Sequence, residues 1–221
     1  MFTHALTALQ AESERLSTIL AGLTGPDWSA PTRCVPWDAA ALAAHITMAL
    51  GRLDAMLDAP PPALATVDAA GYYRPDERFS PEVDAVRLDS AAEAARAGGA
   101  AVAAEFASTW RRVCARCAAR PARLVTTRHG DPMTLQDFLT TRVVEVAVHG
   151  IDLADALDRP RWTTPEAAAV VVELLLGPGH VAALEEGDRV GFIAKATGRD
   201  AFTETERALA QSRGITWLAL G

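Results

Sequence analysis

Lysine is almost missing from this chain: Lys195 is the only one, and arginine supplies the rest of the 21 basic residues. Against 28 acidic residues this leaves a formal charge of -7. An acidic surface offers no counter-charge to phosphate backbones or anionic headgroups, which argues against nucleic acid or an anionic membrane as the main partner. The arginine bias itself reads as a genomic habit. Cysteine is scarce too, with three in 221 residues, an odd number that makes no disulfide framework. Long apolar runs are also lacking, since Ala167 to Leu176 is broken by Glu173 and is too short to span a bilayer. The opening stretch MFTHALTALQAESERL has neither a basic n-region nor a continuous apolar segment, so no signal peptide is predicted. These absences predict a soluble cytoplasmic protein in reducing surroundings. No phosphate-cradling Gly-rich loop, GxSxG or HExxH occurs, which removes several common catalytic arrangements.

What is present favours helices, because half of the residues are hydrophobic and alanine is abundant. The length suits one domain, or one with a small appendage. Leu6, Leu9, Leu16, Ile19, Leu20 and Leu23 mark a first helix over Thr3 to Leu23. Gly25 and Pro26 stop it, and Trp28 to Trp37, with Pro31 and Pro36, reads as an ordered loop. Its two tryptophans and Cys34 suggest an apolar plug over the end of a bundle. Asp38 is a plausible N-cap for a helix over Ala39 to Leu57, whose apolar side carries His45 between Leu42, Ile46 and Ala49. Taken alone, such a histidine is more often a hydrogen-bonded core residue than a ligand.

Asp58 to Ser80 reads as a long connection in which Tyr72, Tyr73 and Arg74 are candidate substrate contacts. Ser80 and Pro81 open a helical stretch towards Ala119 that Gly98 and Gly99 either kink or divide. Cys114 and Cys117 within it form incidental helical spacing, since no second pair exists. A connection with a short hairpin around Gly130 follows. Thr134 and Asp137 have capping-box spacing, which predicts a helix from Leu135, although the valines at 143, 144, 146 and 148 keep a strand reading open. Later helices are predicted from Thr164 to Leu176, over Asp188 to Thr197, and after the Thr203/Glu206 capping box.

The chemistry is concentrated on the helix after Thr134. Arg142, Glu145, His149 and Asp152 fall at steps of three, four and three, and so form one polar stripe on an otherwise apolar cylinder. That helix cannot turn its stripe to water without exposing Val and Leu surface, so the stripe is expected to face other helices or a cavity. Glu145 and His149 can reach one point, and His45 is a second apolar-face histidine on another helix. Two imidazoles and a carboxylate are a common donor set for zinc, and three protein ligands leave an open coordination position. Arg142 and Asp152 are then candidate supports that orient the ligands. Two salt bridges, Arg142 to Glu145 and His149 to Asp152, satisfy the same stripe without metal, and the residues alone leave both arrangements open.

The segments PTRCVPWDAAALAAHI, TLQDFLTTRVVEVAVHGIDLADAL and FIAKATGRDAFTETERALA resemble the mycothiol-dependent maleylpyruvate isomerase-like proteins of the DinB-like superfamily. The similarity extends from about Ala11 to Ala210. The resemblance implies an all-α fold: a DinB-like metal-binding four-helix bundle over residues 1–160, with a small helical extension over 161–221 packed on it. It implies an enzyme whose cofactors are a divalent metal, usually zinc, and mycothiol, with His45, Glu145 and His149 as ligands. Trp37, Tyr72 and Tyr73 become candidate cofactor or substrate contacts. The implied partners are a low-molecular-weight thiol and a small electrophile. A thiolate that adds and is expelled after rotation gives cis-trans isomerisation, whereas a retained adduct gives S-transfer. A hydrolase using metal-bound water and a non-catalytic metal-binding interaction protein are the alternatives, and oligomeric state is not legible.

Overall fold

The computed structural model describes residues 4–74, 80–177 and 189–212. Four long helices form the bundle: α1 (His4–Ala21), α3 (Ala39–Asp58), α5 (Gly99–Ala118) and α6 (Leu135–Ala156). Each packs on two others in a closed ring, α1 on α5, α5 on α3, α3 on α6 and α6 on α1. Their inward stripes, among them Leu9 and Leu16 of α1, Leu42, Ile46 and Leu53 of α3, Phe106 and Val113 of α5, and Val143, Val146 and Ile151 of α6, are fully buried. Burying such side chains contributes about 1.5–3 kcal/mol each, which holds the ring together. Among the described residues, α3 alone is long and apolar enough to cross a membrane, and 72% of that stretch is buried inside the protein. It is a core helix of the bundle.

The helix starts follow the predicted chemistry. Asp38 accepts from the Ala41 amide, Ser80 from Val83, Thr134 from Asp137 and Thr164 from Ala167, each relieving an amide that has no partner within its helix. The stretch opened by Ser80 is divided as Gly98 and Gly99 suggested, into α4 (Pro81–Ala95), packed on α3, and α5. The expected hairpin is an antiparallel pair, β1 (Leu124–Thr126) with β2 (Pro132–Thr134), Val125 opposite Met133. Leucine, phenylalanine and the Thr134 cap outweigh the valine propensity, so residues 135–156 are helical and the strand alternative fails.

After the bundle, α7 (Pro165–Leu176) packs on α1 and α6, α8 (Arg189–Ala196) packs on α7 and α6, and α9 (Glu204–Ser212) follows. Residues 75–79 of the long connection and Asp188, where a helix start was expected, lie outside the described residues.

The short helix α2 (Gly25–Trp28) was not expected, because Gly25 and Pro26 read only as a stop. Its capping box joins Thr24 to Asp27 and makes a single turn worthwhile. It lays the Trp28 indole against the first turn of α5, where a Cβ on Gly99 would come within 2.3 Å of the ring. Alanine at position 99 would normally favour the helix, but here the whole indole must move. Gly99→Ala is expected to lower stability by about 1–3 kcal/mol, read as a reduced midpoint in urea. A midpoint at or above that of the wild type would show that Trp28 is not seated there.

Candidate functional site

The polar stripe of α6 faces inward. Arg142 and Asp152 are 1% and 0% exposed, and the side chains of Glu145 and His149 retain 17% and 12% exposure because they line a cavity of about 120 Å³. His45 enters the same cavity from α3. Its Nε2 lies 3.6 Å from Glu145 Oε2, and His149 Nε2 lies 3.5 Å from that same oxygen. The donor atoms of the three residues fall within 4.8 Å of one another.

This arrangement fits a divalent ion. Two ligands each about 2.1 Å from zinc at the tetrahedral angle stand about 3.4 Å apart, close to the two separations observed here. Both histidines turn Nε2 towards the carboxylate, and His149 donates through Nδ1 to Asp152 Oδ2 at 2.9 Å. Metal-binding histidines are commonly held in this manner, with the second ring nitrogen tied to a carboxylate. Asp152 is itself gripped at both oxygens by Arg199, at 2.9 and 2.8 Å. The two salt bridges considered from sequence are both present, the Arg142 to Glu145 pair at 3.6 Å and the His149 to Asp152 pair. They coexist with the convergence on Glu145 rather than replacing it.

Electrostatics sort the two imidazoles. Burial pushes His45 down to about 4, so it is neutral at pH 7 and its Nε2 can serve as a donor. Burial also opposes charge on His149, but Asp152, Cys34 and Glu145 outweigh it and raise His149 well above its ordinary range. Burial works against ionisation of Glu145 as well. Arg142 and the two histidines nevertheless hold its carboxyl well below the usual range.

A second cluster, Cys34, His149 and Asp152, also brings donors together, with Cys34 Sγ 3.4 Å from Asp152 Oδ2. It suits a cation poorly. Asp152 is already committed to Arg199, and Arg33 stands 3.9 Å away, so positive charge surrounds the only carboxylate in that group.

The loop before α3 packs down as expected, but its two tryptophans part company. Trp37 is buried and stacks on His45, ring centroids 4.6 Å apart. Trp28 lies against α1 and α5, away from the cavity. Tyr72 and Tyr73 both line the cavity: Tyr72 Oη accepts from Arg142 at 3.3 Å, and Tyr73 Oη donates to the Thr141 carbonyl at 3.0 Å. Arg74 turns away to pair with Asp131. Sequence reasoning missed the remaining cationic lining, Arg52, Arg87, Arg128 and Arg199. Arg52 was findable, since residues 45, 49 and 52 share one face of α3. Arg199 sits in the KATGRD segment, but its reach to Asp152 is a tertiary fact.

The family model described as the mycothiol maleylpyruvate isomerase N-terminal domain matches residues 9–154. No match is found among curated proteins. Among solved structures, the crystal structure of a mycothiol-dependent maleylpyruvate isomerase is similar with a TM-score of 0.58 and 16% identity, over 93% of this chain and 97% of that one. A histidine-to-alanine mutant of a mycothiol-dependent maleylpyruvate isomerase is similar at 0.57 and 16% identity, with the same coverage. These neighbours share the mainly helical fold built above. With the match spanning the bundle from α1 through most of α6, the chain belongs to the mycothiol maleylpyruvate isomerase N-terminal domain family.

Proposed function

We propose that this chain is a divalent-metal-dependent enzyme that uses mycothiol as its thiol and acts on a small electrophile, by cis-trans isomerisation of the maleylpyruvate type or by S-transfer. The observation that carries this reading is the convergence of His45, Glu145 and His149 on one point of a cavity in a bundle of this family. These three residues would hold the metal, with zinc the ion their chemistry suits best. When bound, the ion supplies a positive charge that favours thiolate over thiol near neutral pH.

The chain's own groups prepare that position. Asp152, fixed by Arg199, takes the His149 Nδ1 proton as a hydrogen bond and leaves Nε2 aimed inward. Arg142 spans from the Ala49 carbonyl to Tyr72 and keeps Glu145 ionised. Trp37 covers one face of His45 and keeps water from it. Residues 161–221 are read as an extension of the bundle of residues 1–160, and among its described residues Arg199 reaches the site.

Titration of purified protein with mycothiol, before and after chelation, tests the reading. Saturable binding that weakens at least about tenfold on chelation, with glutathione binding more weakly, is the expected result. Turnover of substrate with no thiol present would instead identify a hydrolase. Mycothiol binding indifferent to chelation would remove the metal from the account.

A further inference from the structure

The cavity is more cationic than the proposed metal chemistry requires. Five arginines line it, at positions 52, 87, 128, 142 and 199, whereas Glu145 is its one acidic residue among the described lining. Two of these are accounted for, Arg142 by Glu145 and Tyr72, and Arg199 by Asp152. Arg87 stands over the Trp37 ring. Arg52 and Arg128 are different, because neither has a carboxylate partner among the described residues. In a chain of net charge -7, a half-buried Arg52 and an exposed Arg128, both lining one cavity without an acid, point to an anion supplied from outside.

Their placement is built. Arg52 follows His45 by seven residues, two turns along the same face of α3, or about 10 Å of helix rise. Ala49 lies between them in sequence and lines the cavity with a small side chain. Arg52 is half-buried, and burial together with Arg128 and Arg142 lowers its proton affinity to about 10, which still leaves it charged at pH 7. Arg128 comes from the β1–β2 turn. Thr127 Oγ1 accepts there from the amides of His129 and Asp131 and locks the turn, and Arg128 Nε donates to His129 Nε2 at 3.0 Å. The cavity is therefore lined by one guanidinium from the bundle and one from the hairpin turn.

We propose that Arg52 and Arg128 form a clamp for a carboxylate of the electrophile, two helical turns from His45, and so select substrates carrying an anionic group remote from the reacting carbon. This rests on the reading above that an electrophile occupies the cavity. Guanidinium groups suit the task because their planar forks match both oxygens of a carboxylate.

Calorimetric titration of the protein as purified, with succinate as probe and neutral succinamide as control, tests the clamp. Succinate is expected to bind, succinamide to bind at least about tenfold more weakly, and Arg52→Gln and Arg128→Gln each to weaken succinate about tenfold or more. Arg52→Lys should retain part of the affinity. The melting temperature of Arg52→Gln should be unchanged or higher, since an unpaired cation is removed from a half-buried position. Arg128 is exposed, so Arg128→Gln provides a folded variant in any event.

Wild-type affinity in both variants would overturn the clamp, and that is also the result if succinate seats on the His45 cluster instead. A lowered melting temperature with unchanged succinate affinity would assign Arg52 a structural role. Repeating the titration with saturating mycothiol separates the two sources of a carboxylate: undiminished succinate binding is expected, and competition would overturn the assignment to the electrophile. Metal content and mycothiol affinity are read from the same samples. Their absence in wild type alongside Arg-dependent succinate binding would sink the proposed function and leave the clamp standing.

Discussion

Replacing Glu145 by glutamine is expected to cost both metal and stability. Glu145 is where the two histidine Nε2 atoms converge and is also the carboxylate facing Arg142, which is 1% exposed. Breaking a buried pair from one side costs about 3–5 kcal/mol, and the 3.6 Å separation and partial exposure of Glu145 place the expected loss at the lower end, about 3 kcal/mol. For a chain of this length that is a drop of about 6–12 °C in melting temperature. Retained metal should fall to background, and thiol-dependent turnover should fall by more than about 100-fold, the upper range for loss of a mere supporting partner. The double variant Arg142→Met/Glu145→Gln separates the two effects. It should recover most of the stability, because the stranded cation is gone, and none of the metal. A Glu145→Gln protein that keeps stoichiometric metal and melts within about 2 °C of wild type would show that the carboxylate serves neither purpose.

Asp152→Asn is expected to act through His149. The carboxylate accepts the Nδ1 proton at 2.9 Å, whereas an asparagine can present its amide there and move the imidazole proton to Nε2, the nitrogen needed inward. Metal affinity should fall about 10–100-fold. Stability should also fall by about 1.5–3 kcal/mol, because the charge-assisted bonds from Arg199 are weakened.

The pH dependence of that loss is specific. Burial opposes ionisation of Asp152, yet His149 and Arg199 hold its carboxyl far below the ordinary range. Its contribution is therefore present above about pH 4 and fades as pH falls towards its depressed native value. His149 is raised in the metal-free protein, so its contribution is complete below about pH 6.5 and fades as pH rises through the elevated native value. Denaturant titrations of metal-free wild type and Asp152→Asn should thus differ most between about pH 4 and 6.5, with the gap closing towards lower pH and shrinking towards higher pH to the part that Arg199 supplies. A gap that is constant with pH would mean that the imidazolium–carboxylate pair does not form.

The sequence disclosed the parts of the site whose signal is periodic. The three-four-three spacing placed Arg142, Glu145, His149 and Asp152 on one face because a helix of this length enforces it, and the Thr134 and Asp38 caps located the helices that carry Glu145 and His45. Side chains brought in from irregular segments were less legible. Cys34 approaches Asp152, Arg128 projects from a turn, and Arg199 reaches back 47 residues to Asp152. Nothing local in the chain specifies those approaches, since tertiary packing sets them. Arg52 is the instructive omission. Its spacing from His45 was available, but among Leu42, Ile46, Ala49 and Leu53 a single arginine reads as the solvated edge of an apolar face. The opposite error arose at Trp28, which was grouped with Trp37 in one plug over the end of the bundle although Gly99 gives its indole a separate seat on α5.

The most direct measurement is elemental analysis of untagged protein, wild type beside His45→Ala, with melting temperatures recorded on the same samples. One divalent ion per chain in wild type, and none above background in His45→Ala, is the predicted result. Wild-type protein without stoichiometric metal, together with His45→Ala unchanged in both metal content and stability, would contradict it.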